Sequence, residues 1–389
     1  MTIKANSRKR PIYFDYHATT PMDSRVVAHM LYYMTEAFGN ASSIDHPFGD
    51  EAEEAVKTAS QQVANLVGTY PRNVIFTSGA TESINLALQG HCAAAGRKQR
   101  IAVSPLEHKA VLDTCQALEV GGKAELCWLR VDQLGRVDLA HVKELCRSGT
   151  DLLCIMAANN EIGNIYPVQE IAEIAADFGT AFLCDATQAV GKIPIKFDDW
   201  NITYLALSAH KIYGPKGCGA LIIQSGAHLS PLIYGGGHQK GLRSGTLNVP
   251  GIVGLGEACR LRLEEMERDE EAIKAKRDHL LRLLQAGIPN LILNGDTKWR
   301  LAGNIHISLP GIPNSVVIAH VRHKLAISTG SACSSGIEAP SHVLKAIRLD
   351  DIYSDGALRI SIGKFTTNQE IIEGAEIIID ALETISNSV

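Results

Sequence analysis

The stretch YLALSAHKIYGPKGCGALII, residues 204–223, places a glycine-rich turn between two apolar runs. Short apolar runs that are bounded by glycine and polar residues predict buried strands. Similar runs precede it, and helical spacing such as that of Val168–Phe178 lies between them. Strands that alternate with helices predict an α/β fold with a mostly parallel, doubly wound sheet. The predicted strands are Asn73–Phe76, Ile101–Val103, Leu152–Ala157, Ala181–Cys184, Tyr204–Leu207 and Ala220–Ile223.

The length of 389 residues predicts two domains. The character of the sequence changes after residue 256, where a long charged helical pattern, Glu257–Leu284, begins. We predict a large domain over residues 20–260 and a small α+β domain over residues 1–19 and 261–389. The further elements predicted in the small domain are strands at Asn304–Leu309 and Leu358–Ile362 and helices at Ser315–His323 and Asn368–Ser386.

The composition argues against several classes of protein. Apolar residues make up 46% and charged residues 20% of the chain, which is typical of a folded globular protein. The formal net charge is −5 and no basic stripe is present, so direct nucleic acid binding is not expected. No apolar run is long enough to predict a membrane span. The nine cysteines form no C-x-x-C pair, so no metal site is predicted and a reducing compartment is favoured. The N-terminal residues show no apolar signal-peptide segment, which predicts a cytoplasmic location.

Polar residues follow the predicted strands, where an open α/β sheet binds its ligands. They include carboxylates, an amine, two histidines, amides and hydroxyls. Because the carboxyl ends of parallel strands share one edge of the sheet, these residues are the candidates for a functional site. They are Thr77–Thr81, Glu107 and His108, Asn159 and Asn160, Asp185–Gln188, and Ser208–Lys211.

The segment TSGATES, residues 77–83, is a glycine-containing turn that opens a predicted helix. Free backbone N–H groups at a helix N-terminus suit a phosphate. The same segment is also consistent with a simple helix N-cap formed by serine or threonine. From this segment alone the cap is the favoured interpretation.

Lys211 and Asp185 each come directly after an apolar strand. A desolvated lysine has a lowered pKa and reacts with carbonyl groups, whereas a lone lysine is ordinarily a surface residue. A buried carboxylate needs a partner, which is either a helix N-terminus or a cationic ring nitrogen. An amine, an aspartate and a phosphate site on the strand ends of one sheet are the groups that pyridoxal phosphate requires.

The loop STGSACSSG, residues 328–336, surrounds Cys333 with small polar residues. Most of the other cysteines have bulky apolar neighbours, which predicts buried and inert thiols. An exposed thiol in a loop of this composition is either a nucleophile or an incidental surface cysteine.

At this point the motifs resemble those of the NifS/IscS-type cysteine desulfurases, which are class-V aminotransferase-like, fold-type I enzymes. The resemblance covers nearly the whole chain, and the motifs occur in the same order as in the family. It implies a large domain with a mostly parallel seven-stranded sheet, a smaller α+β domain, and pyridoxal 5′-phosphate as cofactor. The motifs include FDYHATTP (14–21), VIFTSGATESINLALQG (74–90), NNEIGNIYPV (159–168), DATQAVGKIPI (185–195), RSGT (243–246), STGSACSSGIEAPSHVLKAI (328–347) and LRISIGKFTTNQEI (358–371).

The resemblance implies a role for each residue of the cofactor site. Lys211 corresponds to the lysine that holds the cofactor as a Schiff base, and Asp185 to the partner of the pyridinium nitrogen. Gln188 would bond the phenolic oxygen of the ring, and His108 would stack on its face and shuttle protons. The residues implied as phosphate anchors are Ala80, Thr81, Ser208 and His210.

The resemblance also implies the substrate site and a homodimer. Asn160 and Arg359 would hold the substrate carboxylate, and Thr246 would reach the phosphate bound in the partner subunit. Cys333 would accept the sulfur of L-cysteine as a persulfide while L-alanine leaves. Among common family positions, Lys364 replaces an arginine and Ala41 a proline, and neither touches the proposed chemistry.

Other functions remain open on the same scaffold. A class-V aminotransferase needs no thiol at position 333, so the cysteine loop favours a desulfurase. A selenocysteine lyase is not separated by sequence, and a scaffold without activity is disfavoured by the presence of Lys211, Asp185 and Arg359 together. The sulfur-acceptor protein is open between iron–sulfur cluster assembly, tRNA thiolation, cofactor thiolation and DNA phosphorothioation.

Overall fold

The computed structural model describes residues 10–329 and 341–387. Its β-strands are β1 (Ile12–Tyr13), β2 (Val74–Thr77), β3 (Gln99–Val103), β4 (Ala124–Trp128), β5 (Leu152–Cys154), β6 (Ala181–Asp185), β7 (Tyr204–Ser208), β8 (Gly219–Ile223), β9 (Ile292–Leu293), β10 (Asn304–Ser308), β11 (Leu325–Ala326) and β12 (Ala357–Ser361). Its α-helices are α1 (Ser24–Thr35), α2 (Pro47–Val67), α3 (Ala80–Ala95), α4 (Lys109–Val120), α5 (Leu139–Arg147), α6 (Val168–Asp177), α7 (Val249–Gly287), α8 (Asn314–Val321), α9 (His342–Ala346), α10 (Asp351–Ser354) and α11 (Asn368–Ser386). Short 3₁₀ helices lie at Pro71–Asn73, Ala209–Lys211 and Gln239–Gly241.

The central sheet has seven strands in the order β2-β8-β7-β6-β5-β3-β4. All neighbours are parallel except β8, which runs antiparallel to both β2 and β7. Successive residues of each strand enter opposite cores: in β7, Leu205 and Leu207 join one cluster, and Tyr204 and Ala206 the other. Helices α3 and α4 cover the second face, and α2, α5, α6 and α7 cover the first. Burial on both faces explains why these strands read as continuous apolar runs.

The strands predicted in the central sheet are present with small differences at their ends. The predicted run Leu152–Ala157 ends as a strand at Cys154, because the backbone N–H of Met156 donates to the Glu107 carboxylate at 2.6 Å. The prediction missed the edge strand β4, whose residues are only partly buried and therefore give a weak apolar signal.

A second, smaller hydrophobic cluster lies around the strands that follow α7. Strands β12, β10 and β9 form an antiparallel sheet, and β1 pairs with β11 in parallel. Ile12 and Phe14 from the N-terminal segment belong to this cluster, together with residues of α8 and α11.

Helix α7 is 39 residues long and contributes to both clusters. It begins before the predicted start at Glu257, and the predicted domain boundary near residue 260 lies within it. Three glycines in its first turns have low helix propensity, so the sequence pattern does not predict this part of the helix. A Cβ at Gly256 would lie 2.7 Å from the Ala59 Cα, so the glycine lets α7 approach α2 closely.

Within the described residues, no helix is both long and apolar enough to cross a bilayer.

Candidate active site

A cavity of about 730 Å³ lies beyond the carboxyl ends of the central strands. It brings together every described residue to which the resemblance assigns a role, except Thr246, whereas the strand-end candidates Glu107 and Asn159 do not line it. Cys333 lies outside the described residues. The predicted residues that line the cavity are Ala80, Thr81, His108, Asn160, Asp185, Gln188, Ser208, His210, Lys211 and Arg359.

Lys211 projects from the short 3₁₀ helix that follows β7. Its amine donates to the carbonyl oxygens of His17 at 2.5 Å and Ala18 at 2.8 Å. Burial, together with the positive charges of Lys192 and Arg359, lowers the pKa of the Lys211 amine to about 7, although the charges of Asp15 and Asp185 oppose the shift. A large fraction of this amine is therefore neutral, and nucleophilic, near pH 7. Lys216, the other lysine on the cavity wall, is exposed.

Asp185 and Gln188 line the cavity from the end of β6 and the turn that follows it. Asp185 is buried, and one carboxylate oxygen accepts the Thr187 backbone N–H at 3.0 Å. The Gln188 amide nitrogen donates to the His17 carbonyl oxygen at 2.8 Å. The Thr187 hydroxyl is buried and has no hydrogen-bond partner among the described residues. The site thus offers a carboxylate and an amide to a polar ligand.

The N-terminus of α3 forms a cradle next to β7. Its N-cap is Gly79, which provides no side-chain cap, so the first N–H groups of this 16-residue helix lack a capping side chain. This finding removes the argument for a simple serine or threonine cap. A Cβ on Gly219 would lie 2.6 Å from the Gly79 Cα, so glycine at 219 permits the close approach of β8. Ser208 stands beside Gly79, and helix N-termini of this kind bind phosphate.

The two histidines of the site differ in their surroundings. His108 is the N-cap of α4, and its Nδ1 accepts the Ala110 backbone N–H at 3.0 Å, which places the proton of the neutral ring on Nε2. Desolvation lowers the pKa of His108, although the charge of Asp185 opposes this shift. Burial, with Lys211 and Lys216, lowers the pKa of His210 to about 4. His210 is therefore a neutral group near pH 7.

Arg359 enters the cavity from β12 and is 5% exposed. Its Nη2 donates to Asp15 Oδ1 at 2.8 Å, and its Nη1 donates to the Asn160 carbonyl oxygen at 3.1 Å. The Nε–H group is buried and has no hydrogen-bond partner among the described residues. A guanidinium with a free donor in a cavity is suited to an anion such as a carboxylate. Ser328, at the start of the cysteine loop, pairs with Arg359 through two backbone hydrogen bonds.

The sequence interpretation missed Asp15 and His17, which come from the N-terminal segment and line the same cavity. His17 is fully buried, and burial lowers its pKa well below the usual value. The motif FDYHATTP contains both residues, and the signal in the sequence is the pair of polar residues that follows the apolar Phe14. Thr246 is exposed and lies away from the cavity wall of its own chain.

The chain matches the sequence model of the family described as aminotransferase class-V over residues 12–373. The cysteine desulfurase IscS of Anaeromyxobacter sp. (strain Fw109-5) is 42% identical over 375 residues, which cover 96% of this chain and 92% of that protein. A solved NifS-like protein has a TM-score of 0.90 at 35% identity, covering 97% of this chain and 100% of that one. A solved complex of SspA with cysteine has a TM-score of 0.81 at 34% identity, covering 92% and 100%. These matches confirm the resemblance and the fold class predicted from the sequence.

Proposed function

Because the chain belongs to the aminotransferase class-V family, we propose that it is a pyridoxal phosphate-dependent cysteine desulfurase. It converts L-cysteine to L-alanine and transfers the sulfur to Cys333 for delivery to an acceptor protein. The observation that carries this proposal is the Lys211 amine, with its pKa lowered to about 7, in one cavity with Asp185 and Arg359.

The residues of the cavity fit pyridoxal phosphate, the cofactor of this family. Lys211 supplies the amine for covalent attachment, and Asp185 the carboxylate for the ring nitrogen. The α3 N-terminus at Ala80 and Thr81, with Ser208 and His210, would receive the phosphate. When bound, the cofactor withdraws electrons from the α-carbon of the amino acid.

Arg359, which lines the cavity, binds the substrate carboxylate through its guanidinium group. The Asp15 carboxylate accepts a hydrogen bond from Nη2 at 2.8 Å and helps to fix the plane of the guanidinium. The Lys211 amine, close to half neutral at pH 7, would act as the base that removes the α-proton of the amino acid. His108, neutral and protonated on Nε2, is placed on the cavity wall to exchange a proton during the reaction.

The Cys333 thiolate forms a sulfur–sulfur bond with the substrate while the carbon–sulfur bond of the substrate breaks. The carbon skeleton takes up that electron pair and a proton, and it leaves as alanine. Cys333 follows Ser328 by five positions in the sequence, and Ser328 lies on the cavity wall. Five residues of chain span up to roughly 17 Å, which is enough to cross a cavity of this size.

The proposed assembly is a homodimer in which Thr246 reaches the phosphate in the partner's site. Thr246 is exposed and does not line the cavity of its own chain, which supports this role. Helix α1 and the segment after it expose large apolar side chains: Leu31, Met34, Phe38 and Ile44 are 56%, 61%, 68% and 86% exposed. Apolar surface of this extent is typical of a protein–protein interface.

The division into residues 20–260 and residues 1–19 with 261–389 stays a prediction, as does the cytoplasmic location. The separate hydrophobic cluster that includes Ile12 and Phe14 supports the division.

The test is the stoichiometry of L-cysteine turnover in the presence of a thiol reductant. The protein as purified should release alanine and sulfide in equal amounts. The Cys333→Ser variant should keep the visible absorption of the bound cofactor and lose sulfide release. Full sulfide release by this variant would remove Cys333 from the mechanism. Turnover of selenocysteine, but not cysteine, would favour the selenocysteine lyase instead.

A further inference from the structure

The side-chain amide of Gln188 is held from two sides, and one of the two groups is Lys192. The Lys192 ammonium donates to Gln188 Oε1 at 2.8 Å, and Gln188 Nε2 donates to the His17 carbonyl oxygen at 2.8 Å. Gln188 is 4% exposed and lines the cavity, whereas Lys192 lies behind it, outside the cavity wall. Lys192 therefore touches the glutamine and not the ligand.

The chemistry of these two partners determines which way the amide points. An ammonium group has only donors, and a carbonyl oxygen only accepts. In the opposite orientation, the NH₂ group would face the Lys192 ammonium and Oε1 would face the His17 carbonyl. Both contacts would be repulsive, so the observed orientation is fixed, and the second N–H of Gln188 stays available to the cavity.

The turn after β6 brings the two residues together. The backbone N–H groups of Ala189 and Val190 donate to the Ala186 carbonyl, and the N–H of Lys192 donates to the Ala189 carbonyl, each at 2.9 Å. These consecutive turns place positions 188 and 192 on the same side. The contact is thus built into the backbone that follows Asp185.

We propose that Lys192 is a positioning residue of the active site, which fixes the Gln188 amide so that an N–H group points to the phenolic oxygen of the cofactor. The proposal rests on the proposed function only in requiring that pyridoxal phosphate binds at Lys211. A donor at this oxygen stabilises its anionic form, and thereby favours loss of the proton from the nitrogen that joins Lys211 to the cofactor.

The charges around Lys192 come from two further elements. Glu270 and Arg262 face it from α7, and Arg359 faces it from β12. Burial lowers the pKa of the Lys192 amine, the Glu270 charge opposes this, and the two arginines add to it. Arg262 is itself held by Asp269 at 2.7 Å and Glu270 at 2.9 Å.

The same lysine acts on the reactive amine. After burial, the Lys192 charge is the largest cause of the lowered pKa of Lys211. Lys192 can therefore affect protonation at Lys211 in two ways: directly through its charge, and indirectly through the orientation of the Gln188 amide. A test must separate them.

The experiment titrates the visible absorption band of the bound cofactor, which changes when the nitrogen between Lys211 and the cofactor loses its proton. The variant Lys192→Met removes the donor and the charge in a chain of similar length. We expect its titration midpoint to rise by roughly one pH unit. Lys192→Arg keeps a donor and a charge, and should restore most of the original midpoint.

The route through Gln188 is isolated in a second background. When Gln188 is already alanine, adding Lys192→Met should shift the midpoint much less than it does in the unaltered protein, because the amide it positions is gone. Equal shifts in the two backgrounds would show that Lys192 acts by charge alone and would overturn the positioning role. An unchanged midpoint in Lys192→Met would overturn the proposal entirely.

The matched control is Lys196→Met, four positions further along, where the side chain is 63% exposed. It should leave the midpoint unchanged. If Lys192→Met does not fold, Lys192→Gln supplies a neutral variant for the same titration. Because the titration needs bound cofactor and no cysteine, a protein that failed to desulfurate cysteine would still give a decisive result here.

Discussion

The lowered pKa of Lys211 makes a quantitative prediction about how fast the cofactor attaches. Only the neutral amine attacks the aldehyde carbon of pyridoxal phosphate. With a pKa of about 7, half of the Lys211 amine is neutral at pH 7. With the usual value of 10.5, the neutral fraction would be only about 0.03%. The structure therefore predicts attachment at pH 7 that is about 10³-fold faster than for an ordinary lysine in the same place, apart from differences in intrinsic reactivity.

The assay mixes cofactor-free protein with pyridoxal phosphate between pH 5.5 and 9 and follows the visible band in a stopped-flow instrument. The rate should rise about tenfold per pH unit at the acid end and level off above about pH 7. The reaction of the cofactor with a free alkylamine at each pH corrects for protonation of the cofactor itself. Lys211→Met should form no adduct that borohydride reduces, and Lys216→Met should behave like the unaltered protein.

The refuting result is a rate that keeps rising tenfold per pH unit from pH 7 to pH 9. It would mean that the amine retains an ordinary pKa, and that the burial and the neighbouring charges of Lys192 and Arg359 do not act as the structure indicates. A reducible adduct in Lys211→Met would instead show that another lysine holds the cofactor.

Further predictions concern the cradle, the substrate site and the dimer. Gly219→Ala should lower the free energy of unfolding by about 1–3 kcal/mol in chemical denaturation, since its Cβ would lie 2.6 Å from the Gly79 Cα. It should also weaken cofactor binding. An unchanged unfolding free energy and cofactor affinity would contradict the close approach of β8 to Gly79. Arg359→Lys should raise KM for cysteine by roughly 10- to 100-fold with the cofactor band unchanged, because a lysine lacks the forked donors. An unchanged KM would place the carboxylate elsewhere. Met34→Asp should shift the protein from dimer to monomer in light scattering, and a dimer that persists would exclude this face of α1 as the interface.

The strands and the residues at their ends were predictable for a local reason. The predicted strands of the central sheet are buried on both faces, so their sequences are mostly apolar, and the polar residue that follows marks the place where the chain leaves the core. Asp185 and Ser208 are the last residues of β6 and β7, and Lys211 follows within one turn. Position relative to an apolar run was enough to assign these residues to one edge of the sheet.

The remaining site residues depend on contacts that a local pattern does not contain. The Arg359–Asp15 pair joins residues 344 positions apart, and Gln188 bonds a carbonyl 171 positions away. Asn159 was a candidate at a strand end, yet its side chain is used within the protein, bonding the Leu106 carbonyl and the N–H groups of Glu161 and Ile162. A polar side chain binds a ligand or stabilises the fold depending on which hydrogen-bonding groups lie next to it. Those groups come from distant parts of the chain, so a local sequence pattern does not identify them.

The charges around the cavity fit the proposal that the site binds anions and also activates an amine. Lys192 and Arg359 both lower the pKa of Lys211, so the three cationic groups are close enough to repel one another. The nearby carboxylates Asp15 and Asp185 oppose this shift only in part. A lysine in such a field is relieved of repulsion by losing its proton, and the arginine is relieved by binding a carboxylate. The same excess of positive charge therefore favours both the neutral, nucleophilic form of Lys211 and the binding of an anionic substrate.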